Sequence, residues 1–272
     1  MNPAVNRTEI EATTSLREAI ARVFSISPGE RACLLPNEAM TGELAEAYNK
    51  LSREARQGTY QNLAADFLAR TNYQEKGRRP RILDAGCGSG LLSLELAQRT
   101  NTLIIGVDAS QDMIKLANKN RREMNLDANV FFFPENLYSL SELTGGEPHF
   151  DYVVCRNVLH RLKDPQEAIR QMRNSLNPNG KIYIRDLRRD ADWPTIVRRI
   201  GEQRWQHPEL VRDYIGAMAQ MLTLPELEQM LGSLHIIKYK LTNGEYAKPE
   251  MQSSALKEYQ KDVEYVCVIN ES

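Results

Sequence analysis

The sequence predicts an α/β fold: a doubly wound, seven-stranded, mostly parallel sheet with a C-terminal antiparallel hairpin, an N-terminal helical arm and a helical insert before the sixth strand. Three observations predict it. From residue 82 onward, short apolar runs alternate with helix-like segments, a pattern that gives a parallel sheet covered on both faces. The first run, Ile82–Asp84, leads into the glycine-rich stretch at residues 85–90, AGCGSG. The last two runs, Ile236–Leu241 and Tyr265–Ile269, have no clear helix between them, which suits an antiparallel pair.

The elements follow in chain order. Leu16, Ile20 and Phe24 recur at helical spacing behind Thr14 or Ser15 as a cap, and Ser27-Pro28-Gly29 turns the chain, so residues 1–40 form a helical arm. A second helical stretch runs from about Thr41 to Asn72 and is broken near Gly58. The basic, turn-rich residues 77–81 open the sheet region, and residues 41–272 are expected to be one domain. Strands are expected at Ile82–Asp84, Leu103–Asp108, Val130–Phe133, Tyr152–Cys155 and Lys181–Arg185. Helices are expected at Leu91–Arg99, Gln111–Met124, Val158–Leu162 and Pro165–Ser175. The strands read as nearly continuous apolar runs, as in a sheet buried on both sides. Residues 192–231 form the insert; Trp193-Pro194 and His207-Pro208 look like helix starts, and Thr223 caps a helix containing Pro225.

Composition narrows the function classes. The 272 residues suffice for one large domain or two small ones, with 42% hydrophobic and 26% charged residues, ordinary for a globular protein. A formal net charge of −1 provides no field toward nucleic acid or an anionic membrane, and neither is expected as a partner. Cys33, Cys87, Cys155 and Cys267 form no C-x-x-C pair, which argues against a zinc or iron–sulfur site and fits a reducing compartment. No run of about 18 apolar residues is present to span a bilayer, and the N-terminal stretch lacks a signal-like apolar run. A cytoplasmic protein, monomer or homodimer, is expected.

The glycine-rich stretch carries the chemistry. Gly86, Gly88 and Gly90 alternate directly after a strand, permitting a tight turn and letting a ligand lie against bare backbone. The dinucleotide fingerprint G-x-G-x-x-G would put its third glycine at position 91, which is Leu91. Asp84, just ahead of the loop, would repel a pyrophosphate but attract a cationic amino-acid head.

These residues resemble the first motif of class I S-adenosylmethionine-dependent methyltransferases, and later segments follow that family in order across roughly residues 45–272. The resemblance implies that residues 104–110 form the second strand, ending in Asp108 and Ala109. Asp108 lies 22 residues beyond Gly86, the place of the acid that holds the ribose hydroxyls; the competing reading is a helix cap near Ser110. Met113 is the apolar residue that packs on adenine, or plain core. Glu135, followed by Asn136, stands where the family has an acid near the adenine amino group. Arg156 and Asn157 fall at the donor's methionine end, although Asn157 could equally cap the next helix. Residues 176–186 resemble the family's fifth strand. Tyr60 and Tyr48 precede the loop, where related chains supply an aromatic over the donor.

The implied reaction is methyl transfer from S-adenosylmethionine, giving S-adenosylhomocysteine, with no metal. Cys87 is a small loop filler, since direct transfer needs no covalent enzyme intermediate. His160 is the candidate general base, against a packed or capping role. Asp186 ends the fifth strand and either faces the acceptor or pairs with Arg188 or Arg189. Arg185, Arg188, Arg189, Arg198, Arg199, Arg204 and Arg212 read mostly as a solvated face, and a minority pointing inward would suit an anionic acceptor. The acceptor is expected to be a small molecule, with a peptide or protein as the alternative. A non-catalytic donor-binding subunit or sensor is a further alternative.

Overall fold

The computed structural model describes residues 39–54, 57–75, 77–126, 128–191, 210, 213–214, 216–217, 220–247 and 263–270. The expected N-terminal helix, the insert starts at Trp193 and His207, and Arg198, Arg199, Arg204 and Arg212 lie outside the described residues.

Helices α1 (Gly42–Glu54) and α2 (Gln57–Arg70) precede the sheet. Then come β1 (Arg81–Ala85), α3 (Leu91–Arg99), β2 (Leu103–Asp108), α4 (Gln111–Glu123) and β3 (Val130–Pro134). A 3-10 turn at Leu137–Ser139 runs into the short α5 (Leu140–Thr144), and β4 (Phe150–Arg156) follows. A second 3-10 turn, Leu159–Arg161, leads to α6 (Pro165–Asn174) and β5 (Leu176–Leu187). Helix α7 (Leu224–Ser233), β6 (Tyr239–Asn243) and β7 (Glu264–Asn270) complete the described chain.

The seven strands form one sheet in the order β3-β2-β1-β4-β5-β7-β6. β7 pairs antiparallel with both β5 and β6, so the late pair closes the sheet with β7 slotted inside it. One face packs on Leu63, Ala64 and Phe67 of α2, Leu96 of α3 and Ile114 of α4. The other packs on Leu140 of α5, Ala168, Ile169 and Met172 of α6 and Leu227 and Leu231 of α7.

Two differences from the sequence reading have physical causes, and one open alternative is decided. β5 begins at Leu176 rather than Lys181, because a register shift opposite Phe150 and Tyr152 admits Asn179, at φ +66°, into the strand. The segment Leu137–Thr144 lacks a sustained apolar repeat and was not expected to be helical; Asn136 caps its first turn by accepting from Tyr138 N at 3.0 Å. Met113 and Leu116 of α4 bury against Met40 and Ala45, docking α1 on the domain.

The strand order reverses between β1 and β4, and a ligand crevice is expected outside the carboxyl ends of strands at such a switch point. The β1–α3 loop and the turn after β4 frame that crevice.

Candidate functional site

The β1–α3 loop is a tight knuckle. The amides of Gly86 and Cys87 both donate to Val107 O at 2.9 Å, and Gly90 N donates to Cys87 O at 2.9 Å. Gly86, Gly88 and Gly90 all have positive φ, but they are needed for different reasons. A Cβ on Gly86 would lie 2.4 Å from Val158 Cγ2, and one on Gly90 would lie 2.5 Å from Phe132 Cζ. At Gly88 the same atom would meet nothing within 4 Å. Packing explains the first and third glycines; the middle one leaves bare backbone facing open space.

Asp108 holds that middle residue in place. Its Oδ2 accepts from Gly88 N and its Oδ1 from Ser110 N, both at 2.9 Å. The helix cap is Ser110 instead, whose hydroxyl accepts from Met113 N at 3.1 Å; the capping reading of Asp108 is thereby corrected. Burial raises the Asp108 carboxyl above its ordinary range, offset by the Ser110 and Gly88 amides. Asp84 is 2% exposed and accepts from Ser93 Oγ at 2.6 Å. Burial, with a smaller contribution from the Asp108 charge, pushes Asp84 up to about 6, while Ser93 and Arg156 act in the opposite sense. Two acids at one loop make a ligand with a cationic head the electrostatically favoured guest. Burial also raises the Cys87 thiol well above its ordinary value, so it stays protonated as a filler.

The remaining residues fall at varied distances from this loop. Ala109 is exposed on the rim. Glu135 sits beside Asp108, donating its amide to Asp108 O at 3.1 Å, but its Oε1 is engaged by Asn136 N and Ser139 Oγ. Met113 is buried among Met40, Ala45 and Leu116, with Tyr48 packed against that cluster. Tyr60 of α2 is buried, and the Arg156 guanidinium carbon lies 5.5 Å from its ring centroid. Arg156 Nε and Asn157 Oδ1 are buried atoms without a hydrogen-bond partner. Asn157, at φ +56°, does not cap the following turn.

Asp186 does that capping from β5. Its Oδ2 accepts from Val158 N at 3.1 Å and Leu159 N at 2.7 Å; its Oδ1 takes Leu187 N at 2.7 Å and contacts His160 Nδ1 at 2.5 Å. It pairs with neither Arg188, which meets Asp190, nor Arg189, which meets Glu226. His160 is 4% exposed. With Nδ1–H donating to Asp186, its Nε2 is left as the acceptor nitrogen. Next to it, Arg161 pairs with Asp213 of the insert through both carboxylate oxygens.

Arg185 belongs to the inward-pointing minority of the arginines. It is fully enclosed, donates to Glu264 Oε2 at 2.6 Å, Asp66 Oδ2 at 3.2 Å and Gly244 O at 2.5 Å, and lies over Tyr246. Asp66 also accepts from Tyr183 Oη at 2.7 Å and Ala247 N at 2.6 Å, tying α2 to the chain beyond β6. Asp66 and Glu264 are acids set inside apolar segments, a signal that could have flagged the network. Gly106, in mid-strand, could likewise have revealed the loop floor: a Cβ there would lie 2.5 Å from the Phe132 ring.

The crevice therefore fits a nucleoside with a cationic amino-acid head: open backbone at Gly88 and flanking carboxylates. Among the described residues, no group of three or more His, Cys, Asp or Glu side chains could hold a metal, and no helix is long and apolar enough to cross a membrane.

Comparison with known proteins places this geometry in context. A family described as "Methyltransferase domain" matches residues 77–244. An uncharacterized methyltransferase of Schizosaccharomyces pombe is 36% identical over 132 residues, 47% of this chain and 45% of that protein. A ubiquinone biosynthesis O-methyltransferase of Coxiella burnetii is 30% identical over 109 residues, 40% of this chain and 44% of that protein. The chain thus spans less than half the length of these curated relatives. The solved structure of the plantazolicin methyltransferase BpumL in complex with SAH superimposes with a TM-score of 0.63 at 19% identity, over 96% of this chain and 100% of that one. At that identity the likeness concerns the fold.

Proposed function

Because the chain belongs to the methyltransferase-domain family, we propose that it transfers the methyl group of S-adenosylmethionine to a small-molecule acceptor, leaving S-adenosylhomocysteine. The observation that carries this reading is the open backbone at Gly88, held by Asp108 and preceded by a buried Asp84. When bound, the donor supplies a methyl group already activated on a sulfonium centre.

The chain's own residues then bind, orient and exclude water. Asp84 favours the cationic amino-acid head. The backbone of Gly86, Cys87, Gly88 and Gly90 cradles it, and the main chain of the β4 end at Arg156 and Asn157 lines its far side. Asp108 and Ala109 take the ribose edge, with Glu135 and Asn136 toward the base. Met113 stiffens the wall of that half from α4, and Tyr60 covers the crevice from α2. In-line displacement needs the acceptor atom about 3 Å from the methyl carbon, so positioning does most of the catalytic work.

His160, oriented by Asp186, takes the proton when the attacking group is a hydroxyl. The Coxiella relative's name as an O-methyltransferase supports that reading; the plantazolicin neighbour's name keeps a peptide-derived acceptor as the second one. Buried free thiols at Cys87, Cys155 and Cys267 support a cytoplasmic, reducing location.

Calorimetric titration tests the donor assignment. S-adenosylhomocysteine should bind the wild-type protein and NAD should not; the reverse result ends the proposal. Release of S-adenosylhomocysteine in the presence of an acceptor then separates an enzyme from a donor-binding subunit or sensor.

A further inference from the structure

Arg156 ends β4 at the crevice, and its strand neighbour in the parallel register is Arg185. Residues paired in this way project to the same face of a sheet. Each guanidinium lies over a tyrosine ring, Arg156 at 5.5 Å from Tyr60 and Arg185 at 4.6 Å from Tyr246. The chain supplies Arg185 with Glu264, Asp66 and the Gly244 carbonyl. Among the described residues, none forms an ion pair or hydrogen bond with Arg156, and its Nε is a buried donor without a partner. Asp84 is near enough to feel its charge but hydrogen-bonds to Ser93.

Arg156 is half-buried with its Nε enclosed, and a guanidinium held this way without a direct ion pair gains from an anion that arrives with a ligand. The guanidinium fork matches a carboxylate bidentately, and a lone positive charge balances a monoanion better than a doubly charged phosphate. The other arginine at this turn, Arg161, is committed to Asp213. Asn157 Oδ1, next in sequence and also buried without a partner, adds an acceptor for an O–H or N–H donor on the same guest. The Glu264 carboxylate also acts on the Arg156 charge, but its Oε2 is taken by Arg185, and the Tyr60 ring supplies an aromatic wall.

We propose that the methyl acceptor carries a carboxylate that docks on Arg156 against the Tyr60 ring, separate from the atom that is methylated. The two groups are separate because a carboxylate clamped by guanidinium is a poor nucleophile. This rests on the crevice being the donor site; the backbone of the β4 end serves the donor, and the Arg156 side chain serves the acceptor.

The test uses S-adenosylhomocysteine-loaded protein titrated with benzoate, 4-hydroxybenzoate and 3,4-dihydroxybenzoate, each beside its neutral amide. At least one acid should bind about tenfold more tightly than its amide, as expected for a charge-assisted pair. Arg156→Gln should abolish that preference, Arg156→Lys should keep part of it, and S-adenosylhomocysteine itself should bind both variants as it binds the wild type. The proposal is overturned if no acid outbinds its amide, or if the preference survives in Arg156→Gln. It is equally overturned if Arg156→Gln weakens S-adenosylhomocysteine but not its decarboxylated analogue, because the guanidinium then serves the donor's carboxylate. Failure of the wild type to bind S-adenosylhomocysteine at all would instead strike the donor assignment.

Discussion

Arg156 on β4 and Arg185 on β5 are register partners, each over a tyrosine ring, that differ in the partners the chain gives them. Around Arg185 the chain gathers Asp66 from α2, Glu264 from β7 and a carbonyl from the segment after β6. Around Arg156 it sets the Tyr60 ring, leaves Glu264 to act on it without an ion pair, and leaves a buried donor unmet. The first arginine is a structural rivet joining the sheet to its flanking segments; the second is a charge kept for a guest. A buried cation is informative about function only once its partners have been counted.

The largest effect should come from breaking the rivet. Arg185→Met strands the buried Glu264 carboxylate, while Asp66 keeps Arg70, Tyr183 and the Ala247 amide, and removing one partner of such a network costs about 3–5 kcal/mol. Arg156→Met strands none and should cost less than about 1 kcal/mol. Denaturant unfolding of the two variants measures the contrast, and equal losses would erase it.

The glycines offer the same comparison in the loop. Gly86→Ala drives a methyl into Val158, with its Cβ at 2.4 Å, so overpacking of about 1–3 kcal/mol adds to the left-handed backbone cost of about 1 kcal/mol. Gly88→Ala bears only the backbone cost, because its Cβ meets nothing within 4 Å. Yet Gly88→Ala should weaken S-adenosylhomocysteine binding about tenfold, since the new methyl occupies the ligand's side of the loop. Melting curves and titration together separate the two glycines.

Asp84 gives a smaller, pH-dependent effect. Its folded value of about 6 lies above the ordinary 3.8, chiefly through burial. The folded state therefore holds this proton more tightly than the unfolded chain. The associated stability is complete below about pH 4 and is lost as the pH rises through about 6. Asp84→Asn, which can still accept from Ser93, should raise stability at neutral pH by about 1–3 kcal/mol. The same variant should bind the donor more weakly, and wild-type affinity should fall as the pH drops through 6. A variant both less stable and unchanged in binding would refute the assignment of Asp84.

Much of this was legible in the sequence because it is local. The alternation of apolar runs gave the sheet, and α3 and β2 match the expected spans, because glycines and caps lie beside the segments they delimit. The loop reading also came from contiguous residues. What escaped was long-range pairing. Arg185 looked like one arginine among many until Asp66 and Glu264, 119 and 79 residues away in sequence, met it in space. Asn157 reads in the sequence as a donor-side residue or a cap, and Asp186 takes the capping role from the neighbouring strand. The acid at 108 stands on a family resemblance and its spacing from Gly86, whereas its grip on Gly88 required the fold.

The central claim is that the Gly86–Gly90 loop is a donor cradle. A crystal structure with S-adenosylhomocysteine tests it most directly. The ribose hydroxyls should lie within hydrogen-bonding distance of Asp108, the amino-acid portion should run over Gly88 toward the β4 end, and the cavity beside the sulfur should open toward Arg156. A ligand lodged away from this loop, or lying there in the opposite direction, would contradict the account.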